Sequence, residues 1–185
     1  MSSYATPAQL AVYLGRPGGE FDDDAETARA QQLLDDATGT IVDELGQDLA
    51  EVETTSVLDG TGTARLILPR HPVTAVTSVA VTDVDGAATV LTEDTDYTWS
   101  ASGVLTRRGA VWPCHDRAVT VMYTAGYADI PAAAQRICRR LAAAAWPNPA
   151  GAETQDIGDS RYRWFVPGGE LTTGEMRQLD PYRCR

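Results

Sequence analysis

Apolar positions recur at three- and four-residue spacing near both ends of the chain and at two-residue spacing through its middle. In residues 22–49, DDDAETARAQQLLDDATGTIVDELGQDL, the set Ala30, Leu33, Leu34, Ala37, Ile41 and Leu45 falls on one helical face. This spacing predicts a long amphipathic helix with that face buried. Asp22, Asp23 and Asp24 at its front suit the positive end of the helix dipole. Gly39 inside it costs roughly 1 kcal/mol relative to alanine. Either the glycine is simply tolerated, or another helix approaches closely there.

A shorter helix comes first. Thr6 is a good N-cap, Pro7 suits the first helical position, and Gln9 completes a capping box. Leu10, Tyr13 and Leu14 make its apolar stripe, and Gly15 ends it. From residue 55 to 130 the rhythm changes to alternation. ARLIL, AVTSVAVTDV, TVL, YTWS, GVLTRR and AVTVMYT read as short strands separated by turn pairs at Asp59-Gly60, Asp85-Gly86 and Ser102-Gly103. Asp85-Gly86 is the strongest hairpin signal of the three. Helical spacing returns near Ile130, with Ile130, Ala134, Ile137, Leu141 and Ala145 as the inner stripe. Arg136, Arg139 and Arg140 lie on the other side. A polar Pro/Gly stretch follows from Asn148 to Ser160. Thr172 can then cap a last short helix, with Glu175 in its first turn and Leu179 facing inward.

These elements predict an α+β fold. The N- and C-terminal parts, 1–54 and 131–185, form a helical bundle, and 55–130 is an inserted small antiparallel β sandwich or barrel.

Composition narrows the function. The 185 residues are 43% hydrophobic, which favours a packed core over disorder. The longest apolar run is far short of the ~20 residues of a membrane span, so no membrane association is expected. The start, MSSYATPAQL, lacks the charged and apolar regions of a signal peptide. Every basic residue is arginine. Residues 1–60 hold 13 acids and 2 arginines, whereas residues 131–185 hold 6 acids and 8 arginines. With a net charge of −11 the chain is poorly suited to reading DNA sequence, because phosphate neutralisation dominates such binding. The charge split suggests an acidic front that meets a basic surface, which could belong to a neighbouring copy. Candidate pairs are Arg136, Arg139 and Arg140 with Asp22, Asp23, Asp24, Asp35 and Asp36, in the same or an adjacent copy. The alternative is a solvated helix face.

Candidate chemistry is thin. Cys114, His115 and Asp116 adjoin in WPCHDR, but neighbours in a strand point to opposite faces, and a thiol nucleophile needs its base across space. Two histidines and three cysteines give no metal constellation. DVDG and DDD lack the calcium-loop alternation, and DGTGT lacks the lysine of a phosphate loop. No catalytic residue, cofactor or metal is expected, and a structural role is favoured. The tail is different: Tyr162, Trp164, Phe165 and Tyr182 are flanked by Arg161, Arg163, Arg183 and Arg185. Aromatics with arginine are the composition of contact hot spots.

The order of pieces resembles a known family. YATPAQLAVYLG, the acidic helix ending DELGQDL, LDGTGTARLILPRHPVTAVTSVAV, YTAGYADIPAAAQRICRRLAAAAW and the closing LTTGEMRQLDPYR together resemble the head-to-tail connector, or adaptor, family of tailed bacteriophages, in its actinobacterial-phage style. YTAGY followed by Ile130-Pro131 into a helix, and the terminal Leu179, Tyr182 and Arg183, are the more telling parts. The resemblance implies a structural virion protein, assembled in the bacterial host cytoplasm and placed in the virion neck. It implies a homo-oligomeric ring, usually of twelve copies, below the portal protein and above a stopper or tail-terminator protein. Genomic DNA would pass through its channel without sequence-specific binding during packaging and ejection. It further implies that the C-terminal segment docks on the portal, which places that role on Arg161, Tyr162, Arg163, Trp164, Phe165, Leu179, Tyr182 and Arg183. Another neck or tail component, a stopper or tail-terminator, is the closest alternative; those are mostly β.

Overall fold

A computed structural model describes residues 3–147, 154–157, 160–163 and 170–184. In chain order its elements are α1 (Pro7–Tyr13), α2 (Asp24–Leu45), β1 (Val52–Leu58), β2 (Arg65–Ile67), β3 (Val73–Thr82), β4 (Ala88–Leu91), β5 (Tyr97–Trp99), β6 (Val104–Arg107), β7 (Val119–Ala125), α3 (Ala132–Ala145), β8 (Thr154–Ile157), β9 (Ser160–Arg163) and α4 (Thr173–Leu179). Short 3-10 turns cover Pro17–Gly19 and Asp180–Tyr182. The fold is α+β with antiparallel sheets, and it divides into two compact units, 1–46 with 130–183, and 47–129.

The first unit is helical. Thr6 and Gln9 form the capping box that starts α1. Asp23 caps α2 by accepting the Glu26 N–H at 2.7 Å. Gly46, left-handed at φ 71°, stops α2, so the helix ends at Leu45 rather than running on to Leu49. Its predicted stripe is buried in full, from Ala30 and Leu33 to Leu45. α2 packs on α3, α1 touches both, and α4 packs on α3. Where α2 meets α3, the Tyr4 N–H donates to the Thr38 hydroxyl at 3.1 Å, and that hydroxyl donates to Leu34 O at 2.8 Å. Cys138 Sγ lies 3.6 Å from the same hydroxyl. Fixed contacts thus satisfy a polar group in an otherwise apolar interface.

A Cβ added to Gly39 would meet nothing within 4 Å among the described residues, so no described element of the chain packs closely there and plain tolerance accounts for the residue. Gly39→Ala is therefore expected to raise the unfolding free energy by about 0.5–1 kcal/mol, because alanine restricts the unfolded chain without a clash. Chemical denaturation checks this; a loss of stability would mean the site is occupied.

The second unit is β. β1, β7, β3 and β4 form one sheet in that order, and β2, β6 and β5 form another. Residues from both sheets enter one core, which includes Leu66, Tyr97 and Leu105 from the smaller sheet and Val79, Val121 and Tyr123 from the larger. No closed barrel forms, because the strands split between two sheets. The turn carrying Asp85-Gly86 does join a hairpin, β3 to β4. Its loop spans 83–87, and Asp83 Oδ1 accepts the N–H groups of Asp85 and Ala87 at 3.0 and 2.9 Å. Ser102-Gly103 turns β5 into β6. Asp59-Gly60 makes no hairpin: it leads from β1 in one sheet to β2 in the other. β1 begins at Val52, ahead of the expected β region, and pairs along its whole length with β7.

Candidate assembly surface

The polar side of α3 carries the predicted arginines. They differ in what they touch. Arg140 Nη2 donates to Glu175 Oε2 at 2.9 Å and to the Glu170 carbonyl at 3.1 Å. Its Nε lies 2.5 Å from Glu175 Oε1. Arg139 Nε donates back to the Gln135 carbonyl at 3.3 Å, and Arg136 donates to Gln178 of α4. Within the chain, then, Arg140 and Arg136 reach α4, and the acid that Arg140 meets is Glu175, not one on the front helix.

Glu175 does two jobs. It closes the capping box of α4 with Thr172 and it anchors Arg140. Burial alone would push its carboxyl up. The Thr172 backbone and hydroxyl hydrogen bonds and the Arg140 charge outweigh burial and hold it below the ordinary glutamate range. A carboxyl lowered by folding stabilises the folded state above its unfolded titration range, and this stabilisation is lost as pH falls through the folded value. The protection of the α4 amides, measured relative to their intrinsic exchange rate at each pH, should therefore fall on acidification below the ordinary glutamate range. In Glu175→Gln that extra acid sensitivity should vanish, and α4 should weaken by about 0.5–1 kcal/mol at neutral pH through loss of the Arg140 ion pair, because glutamine can keep the capping box as Gln9 does in α1. An identical acid response in both proteins would refute the role.

The predicted acids are spread over several contacts. Asp22 pairs with Arg16 at 3.0 Å. Asp23 is spent on the α2 cap, and Asp24 lies exposed in the first turn of the same helix. Asp35 accepts from Ser3 and from Gln31 Nε2, the latter at 3.0 Å. Asp36 is exposed. Of the predicted docking residues, Leu179 is 1% exposed and anchors α4 in the helical unit. Arg183 pairs with Glu44 of α2, and Tyr182 lies in the last 3-10 turn. Arg161, Tyr162 and Arg163 belong to β9, which pairs with β8; Trp164 and Phe165 lie outside the described residues.

One cluster escapes sequence reasoning. The rings of Phe21 and Trp146 stack at 4.8 Å between centroids. Arg29 sits 4.8 Å above the Trp146 ring and donates to its carbonyl at 2.5 Å. Arg16 lies within 6 Å of both rings and is paired with Asp22 and Glu26 at 3.0 and 3.1 Å. Cation–π contact and ion pairing together fasten the end of α3 to the start of α2. Phe21 and Trp146 are too far apart in sequence for any local pattern to show this.

No set of three or more His, Cys, Asp or Glu among the described residues could hold a metal. Cys138 is buried, and burial pushes its thiol up, against the lowering effect of the Thr38 hydroxyl and nearby backbone groups. That environment disfavours a thiolate. No helix among the described residues is long and apolar enough to cross a membrane.

Known proteins resemble the chain as follows. A family profile described as head completion protein matches residues 19–141. A chain from the neck of an empty gene transfer agent (GTA) particle, computed with C6 symmetry, superposes with a TM-score of 0.63 at 20% identity, covering 96% of this chain and 88% of that one. A chain from the virion of a native GTA particle gives 0.61 at 20% identity, covering 97% and 92%. One from the neck of the native particle, computed with C12 symmetry, gives 0.61 at 19% identity, covering 96% and 87%. At such identities the likeness is one of fold. No curated protein matches the sequence significantly.

Proposed function

Because the chain belongs to the head completion protein family, we propose that it is a structural subunit of the head-to-tail neck: an adaptor that forms a ring below the portal, extends the DNA channel and joins capsid to tail. The observation that carries this reading is the fold shared along almost the whole chain with proteins of GTA necks computed with C6 and C12 symmetry. Rotational symmetry of that kind needs unlike surfaces of identical copies to meet and the rotation to close.

In this reading the helical unit, 1–46 with 130–183, docks on the portal through Arg161 to Phe165 together with Tyr182, and Leu179 fixes the helix that leads into Tyr182. Arg136 and Arg139 face Asp22, Asp23, Asp24, Asp35 or Asp36 of the adjacent copy. Genomic DNA slides past a wall that offers phosphates few cations, consistent with a net charge of −11. Electron microscopy of purified particles tests the proposal. The expected image is a closed ring of this chain between portal and tail; particles whose neck lacks it would overturn the reading.

A further inference from the structure

Beyond the charged pairs proposed above, the larger sheet supplies a further surface between neighbouring copies, an inference that rests on the ring reading. Its two edges are β1 and β4. Among the described residues no strand pairs with the outer side of either. Solitary edges in natural proteins are commonly blunted by proline, lysine, bulges or inward charges. β4, ATVL, is short, and β1, VETTSVL, carries one charge, Glu53, but neither edge has a proline, a lysine or a bulge. The bulges of this sheet lie in the pairing of β3 with β7, away from both edges.

Strand direction decides the occupant. β1 is antiparallel to β7, β7 to β3, and β3 to β4. In a four-stranded antiparallel sheet the outermost strands therefore run in opposite directions. β1 of one copy and β4 of the next can pair antiparallel, and the sheet continues from copy to copy with its alternation intact. Side-chain placement agrees. Val57 stands in register with Thr120, Ala80 and Val90 across all four strands, on the face away from the core. Val57 and Val90, at the two ends of this uncharged row, are 46% and 70% exposed.

We propose that β1 pairs with β4 of a second copy of this chain, and that this backbone pairing is a head-to-tail contact of the ring. The contact is heterologous, because β1 meets β4 and never another β1. Keeping outward residues on the same face and Val90 within the pairing places Val90 opposite Val57 or Thr55. Acids flank both edges, Glu51 and Glu53 beside β1 and Glu93 and Asp94 beside β4, so added salt should strengthen this contact. The arginine–aspartate pairs proposed between the same copies would weaken instead, so the two contacts respond to salt in opposite directions.

Paired cysteines read the contact directly, since opposed residues of an antiparallel pair lie within disulfide reach. In full-length protein carrying Cys114→Ser and Cys184→Ser, two double variants cover the two registers: Thr55→Cys with Val90→Cys, and Val57→Cys with Val90→Cys. Oxidation at high protein concentration and 0.5 M salt is expected to give a reducible ladder of multimers in at least one of them. Each single variant should stay uncrosslinked. Failure of both ladders, or equal cross-linking of a single variant, overturns the proposal. Oxidising particles that carry the same variants separates the two readings: a ring without a β1–β4 cross-link sinks this contact alone, whereas particles with no ring sink the ring itself.

Discussion

Gly126→Ala is expected to destabilise the protein by about 3 kcal/mol or more, because backbone strain and overpacking act together there. Gly126 has φ +118°, outside the range that alanine adopts readily. A Cβ on it would stand 2.4 Å from the Ala50 carbonyl oxygen and 2.7 Å from Glu51 N. These are backbone atoms with little room to yield. Arg70 Nη2 donates to the Asp48 and Ala50 carbonyls at 2.8 and 3.0 Å, and Gly126 N–H itself donates to Pro72 O at 2.8 Å. Gly109 is the control. Its φ of +68° carries strain, but an added Cβ meets nothing, so Gly109→Ala should cost only about 1 kcal/mol. Denaturation midpoints rank the two variants, and equal losses would show that the crowding at Gly126 relaxes away.

Trp112 is the second position where a large effect is expected. It is fully buried in the core shared by the two sheets, so Trp112→Ala should cost about 3–5 kcal/mol. Its indole N–H finds no hydrogen-bond partner among the described residues. An unmet buried donor costs about 1–3 kcal/mol. Trp112→Phe removes that donor while keeping most of the ring, and should therefore cost far less than the alanine change. Part of the remaining loss is the Arg107 guanidinium, which lies 5.5 Å from the Trp112 ring centre. If phenylalanine proves as damaging as alanine, the N–H is satisfied in solution and the ranking fails.

Local rules carried the helices well. The Thr6–Gln9 and Thr172–Glu175 boxes, the buried stripe of α2 and the inward Leu179 all follow from residues a few positions apart. Two misreadings have one cause, competition between local and distant contacts. Leu49 fits the helical spacing after Leu45, so α2 reads as longer than it is. Gly46 ends it, and Leu49 is buried in the β unit instead. β1 then starts within what reads as helix and linker, and its Thr- and Ser-rich stretch declares itself only through pairing with β7. The assembly surface was less legible. Segment charge pointed Arg140 at front-helix acids, but charge totals carry no geometry. Glu175 wins within the chain because the capping box already fixes its carboxylate in place. The stack of Phe21 on Trp146 had no local signature at all.

The clasp at the base of the β unit has a consequence for how such chains diversify. Tyr127 N–H donates to Leu49 O at 2.8 Å and Glu51 N–H to Tyr127 O at 3.1 Å, so the two ends of this unit are fastened side by side. Seen from α2 and α3, everything between them counts as one tight turn, whatever its length, and closing it adds little entropic cost once the clasp is made. The length of that module can therefore change at little entropic cost to the closure, provided the residue facing Ala50 remains a glycine.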